Sequence, residues 1–103
     1  MIKKVTALKE LIDLLEHRRS FILPDNRFNT MVTYFKGFLD GLDSFDEQYI
    51  GVLLKEYGES QFKEHFSVSW YDYLYYSKNE NDEEACKYFF KVIKYFLEEK
   101  SLV

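Results

Sequence analysis

Two histidines, His17 and His65, and one cysteine, Cys86, are the side chains best suited to moving a proton or attacking an electrophile. The histidines stand far apart in the chain and are expected at the surface or at helix ends. Cys86 lies one position from the apolar stripe of the last helix, in no cationic or glycine-rich setting that would favour a thiolate, and is expected as a small, half-buried filler. A lone cysteine has no partner for an internal disulfide, and with two distant histidines it does not make a zinc site. No glycine-rich loop offers to cradle a phosphate, and the abundant carboxylates read as solvation rather than as a glycosidase pair. The reading is therefore of a protein that is not an enzyme, with no catalytic residue, metal or cofactor.

Recognition chemistry is better represented. The run Trp70-Tyr71-Asp72-Tyr73-Leu74-Tyr75-Tyr76 sets large, rigid, amphipathic rings beside acids, and Glu80-Asn81-Asp82-Glu83-Glu84 follows at once. If Trp70, Tyr73 and Leu74 share the buried face of a short helix, Tyr71 and Tyr75 are left on the other side with Asp72. Asp40 and Asp43 fall at the end of a helix, where the macrodipole opposes negative charge by about 0.3 to 1 kcal/mol each. Residues that break a local rule without a structural return are candidates for function. The expected partner-binding surface is thus Asp40, Asp43, Tyr71, Asp72, Tyr75, Glu80, Asp82 and Glu83. With 18 acids against 14 bases and a net charge of -4, a basic protein suits it better than nucleic acid or an anionic membrane.

Such a surface needs a scaffold. At 103 residues, 47% hydrophobic and 19% aromatic, the chain has material for one domain over 1–103, burying roughly two-thirds of its unfolded surface. No stretch has the apolar length of a signal core or a membrane span, and the expected compartment is the cytoplasm.

The periodicity predicts an all-α bundle of about five helices. Val5, Leu8, Leu11, Ile12 and Leu15 make the first stripe, starting at or just before Thr6 and ending in the cations His17-Arg18-Arg19. Pro24 marks a connector, with Asp25 or Asn26 as the next cap. Phe28, Met31, Val32, Phe35, Phe38, Leu39 and Leu42 form the second stripe, which Gly41 helps to stop. Ser44-Phe45-Asp46-Glu47 has the form of a capping box for a third helix with Ile50, Leu53, Leu54 and Tyr57 inward, ended by Gly58. Residues 60–68 read as a loop with a strand-like stretch from Phe66. Ser67 or Ser69 caps a short fourth helix through Tyr76, and Asn81 with Glu84 caps a fifth, whose stripe is Ala85, Phe89, Val92, Ile93 and Phe96.

The segments Ser69-Trp70-Tyr71-Asp72-Tyr73-Leu74, Asn81-Asp82-Glu83-Glu84-Ala85 and Phe89-Phe90-Lys91-Val92-Ile93 carry a resemblance. With Phe35-Lys36-Gly37-Phe38-Leu39-Asp40-Gly41, they look like the tryptophan-led helix, acidic link, double-phenylalanine helix and aromatic-and-glycine helix of small helical bacterial proteins. In these the chain resembles immunity proteins encoded beside polymorphic or contact-dependent growth inhibition toxins, over about its last four-fifths. It departs from their Arg-Pro-x-Met-Tyr-like turn, having Arg19-Ser20-Phe21-Ile22-Leu23-Pro24 there. The resemblance implies an acidic, cytoplasmic toxin inhibitor whose partner is a basic toxin domain such as a nuclease. The alternative reading is a non-catalytic adaptor or regulatory protein-binding module.

Overall fold

The computed structural model describes residues 2–44, 50–62 and 69–99. Five α-helices run α1 (Ile2–Arg18), α2 (Phe28–Asp43), α3 (Ile50–Phe62), α4 (Trp70–Ser77) and α5 (Asp82–Glu99), with a 3-10 turn at Arg19–Phe21 after α1. There is no strand among the described residues. The fold is the all-α bundle that the periodicity predicts. The capping-box residues Phe45, Asp46 and Glu47, the strand-like stretch at 66–68 and His65 lie outside the described residues.

The bundle is organised around α5, which packs against each of the other four helices. Its buried residues are Ala85, Cys86, Phe89, Phe90, Val92, Ile93, Phe96 and Leu97, an arc wide enough to serve several neighbours at once. Cys86 is fully buried rather than half-buried, and that burial pushes its thiol pKa up, against the pull of Arg19. Phe89 is the hub of the aromatic core, with ring centroids 5.1 Å from Phe35, 5.8 Å from Trp70 and 6.0 Å from Phe28.

The expected stripes of α1, α2 and α3 face this core, with Phe38, Leu42 and Leu53 only partly covered. Asn81 caps α5 as expected, its Oδ1 accepting the Glu84 N–H at 2.9 Å. Of the two serines offered for α4 it is Ser69 that caps, accepting from the Asp72 N–H at 3.3 Å while its hydroxyl donates to the Asp72 carboxylate.

Several expected boundaries are corrected. The N-cap of α2 is Arg27, not Asp25 or Asn26. Asp25 still serves that terminus, since its carboxylate accepts the Arg27 N–H at 2.9 Å and bonds the Thr30 side chain, which lowers its pKa. Residues 60–62 are helical rather than loop. Neither Gly41 nor Gly58 has a positive φ, and each lies inside a helix rather than ending it. Gly58 is small for a tertiary reason, because a Cβ there would come within 2.5 Å of the Trp70 indole. That close approach seats α4 on α3.

Candidate functional site

The sequence places its eight candidate residues on one surface, and the structure divides them by task. Asp43 is a cap. One carboxylate oxygen accepts the Ile50 N–H at 2.9 Å and the other the Gly51 N–H at 2.8 Å, so the acid at the unfavourable end of α2 satisfies donors at the start of α3. Asp82 does the same in a different direction. Its Oδ1 accepts the Phe28 N–H at 2.7 Å, joining the N-termini of α5 and α2. Both acids therefore have a structural return that sequence reading did not credit, because each serves a helix other than its own.

Tyr71 and Tyr75 also lie elsewhere than expected. They pack half-buried against the core instead of pointing away with Asp72, and Tyr76 is the exposed ring, at 64%. The reason is that α4 has neighbours on two sides. Tyr75 stacks on Phe28 of α2 with centroids 5.5 Å apart, and Tyr71 lies 5.8 Å from the Phe89 centroid. Burial, with the Asp40 charge beside it, pushes the Tyr71 pKa up to about 12. Burial likewise raises Tyr75, helped by the charges of Asp82 and Glu80. Lys36 reaches over the Tyr71 ring at 5.8 Å.

These couplings place the far end of α2 beside the start of α4, as the expected surface requires, and Asp82 and Glu80 beside the end of α4. Asp40 thus flanks Tyr71, and Glu80 flanks Tyr75, along one edge of α4. Asp40, Asp72, Glu80 and Glu83 are all exposed. Glu83 pairs loosely with Lys87 at 3.8 Å, between two largely solvated side chains.

The turn that carries Glu80 is fixed by its backbone. Asn79 donates to the Tyr76 carbonyl and Glu80 to the Tyr75 carbonyl, each at 3.0 Å, the double bond of a Schellman ending. Asn79 and Glu80 both take left-handed conformations, with φ of 56° and 57°, at a cost of about 1 kcal/mol or more each for residues with a Cβ. Glu80 is thus exposed on a turn closed by backbone hydrogen bonds.

Chemistry could also be sought in a cleft. A cleft of about 330 Å³ between α1 and α5 has Ile12 and Leu97 in its lining with Asp13, Glu16, His17 and Lys94. Its groups pair with one another: Lys94 Nζ meets Glu16 at 2.6 Å, and His17 Nε2 lies 3.2 Å from Glu16 and 3.6 Å from Asp13. Sequence reading missed this pairing, although Asp13 stands one helical turn before His17. Among the described residues no group of three or more histidines, cysteines and carboxylates is placed to hold a metal, and no helix is long and apolar enough to cross a membrane.

Comparison with family models, curated proteins and solved structures finds no match for the chain.

Proposed function

We propose that this protein is an immunity protein that binds a cognate bacterial toxin domain and neutralises it, acting as a stoichiometric inhibitor and not as an enzyme. The observation that carries the reading is the exposed carboxylates of Asp40 and Glu80 beside the half-buried rings of Tyr71 and Tyr75, with Asp72 exposed on α4 and Glu83 exposed in the first turn of α5. Exposed acids collected along one edge steer a basic partner toward it and raise the association rate. Rings already held by the core lose little side-chain freedom on binding, so their contact area costs less to use. A toxin domain with a basic cleft, as a nuclease has, fits both properties. The choice of a toxin over other basic proteins rests on the resemblance in the α2, α4 and α5 segments, and the cytoplasm is where such a protein meets its target.

The test uses the purified protein and the toxin domain encoded beside its gene. Equimolar addition is expected to abolish toxin activity, with a one-to-one complex by light scattering. A toxin that stays active at several-fold excess of this protein ends the proposal, and binding to a basic protein that is not a toxin would favour the adaptor reading.

A further inference from the structure

Among the described residues the most exposed large apolar side chain is Phe21, at 82%, with Ile22 and Pro24 exposed beside it. A single exposed apolar residue needs no explanation, but this group does, because the turn that carries it is pinned at both ends. Before it, Arg19 Nη1 donates to the Leu15 carbonyl at 3.1 Å and its guanidinium lies 6.0 Å over the Phe90 ring. After it, Leu23 is buried in the core, and the Ile22 and Leu23 N–H groups both donate to the Arg19 carbonyl, at 3.1 and 2.8 Å. Phe21 is held in water by the ordered chain around it.

Along the chain the turn is joined to the acidic edge by a short connector. It leads through Arg27 to Phe28, whose N–H is bound by Asp82 and whose ring stacks on Tyr75. Arg18 and Arg27 are exposed before and after Phe21 in the chain, two cations against the single acid between them, Asp25, which accepts the Arg27 N–H and keeps its charge.

Resting on the immunity reading, we infer that the Phe21–Ile22 turn is the apolar anchor of the toxin interface, inserted into a hydrophobic pocket whose rim carries carboxylates facing Arg18 and Arg27. The acidic edge steers the encounter, and the pinned phenylalanine slows the escape. A second copy of this chain is a poorer occupant. A two-fold contact centred on Phe21 would set arginine against arginine, Arg18 facing the Arg27 of the other copy, between chains that each carry a net charge of -4.

The test measures binding of the full-length protein to the toxin domain encoded beside its gene. Phe21→Ser is expected to weaken binding about 30-fold, through faster dissociation, with an unchanged melting midpoint. Arg18→Glu combined with Arg27→Glu is expected to weaken it as well. Unchanged affinity in folded Phe21→Ser overturns the inference and leaves the immunity reading standing, whereas absence of wild-type binding overturns both. Loss in Phe21→Ser with none in the arginine variant overturns the acidic rim. A wild-type dimer in sedimentation velocity that Phe21→Ser dissolves would make a second copy the occupant and overturn it too.

Discussion

The Asp82 carboxylate accepts the Phe28 backbone N–H at 2.7 Å, so the first residue of α5 caps the first residue of α2 across 54 positions of sequence. One acid thereby ties together two helix N-termini and the ring pair Phe28–Tyr75 that lies between them.

Removing that acceptor should be costly in a way that an exposed helix-start acid is not. Asp82→Ala is expected to lose about 1 to 2 kcal/mol, while Asp82→Asn, which keeps an acceptor oxygen, loses less. Urea unfolding of the two variants and of Glu83→Ala checks this, and an Asp82→Ala protein as stable as Glu83→Ala would remove the cap from the account.

The glycines should respond in opposite directions. Gly58→Ala drives a methyl to within 2.5 Å of the Trp70 ring and is expected to cost about 1 to 3 kcal/mol. Gly37 and Gly41 sit inside α2 with open space where a Cβ would go, so Gly37→Ala and Gly41→Ala should each add about 0.5 to 1 kcal/mol. Denaturation midpoints give all three signs at once.

Alkaline stability should depend on Tyr71. Its hydroxyl ionises near pH 10 in the unfolded chain and at about 12 in the folded one. Above pH 10 the unfolded state therefore binds fewer protons than the folded state, and stability falls as pH rises toward 12. The loss is on the order of 2 kcal/mol from this group. Tyr71→Phe should lose correspondingly less than wild type between pH 10 and 12 in urea titrations, and parallel curves for the two proteins would contradict the burial assigned to this hydroxyl.

What the sequence made legible is what depends on short range. The stripes of α2 and α5 and the caps at Ser69 and Asn81 follow from spacing and from side-chain bonds within one turn. The roles of Asp43 and Asp82 were hidden because each carboxylate serves another helix, and nothing local distinguishes such an acid from a solvated one. Gly58 read as a helix end and not as a seat for Trp70, since that contact exists only once α4 lies on α3. Tyr71 and Tyr75 were put on the wrong face of α4 because one-sided amphipathicity assumes one neighbour, whereas α4 packs on α3 and α5 and its Tyr75 ring also stacks on Phe28 of α2. Phe21 was visible only as part of a connector, and its exposure depends on Arg19 and Leu23 being anchored on either side.

Association kinetics with the proposed cognate toxin domain test the central claim most directly. The charge reversals belong at Asp40, Glu80 and Glu83, since Asp43 and Asp82 hold the fold. The account predicts that wild-type association is fast at low ionic strength and falls steeply with added salt. In the folded Asp40→Lys, Glu80→Lys, Glu83→Lys variant it should be at least about tenfold slower at low salt, with a flattened or inverted salt dependence. Equal rates and equal salt slopes for the two proteins would contradict an acidic binding edge on α2, α4 and the turn that follows it.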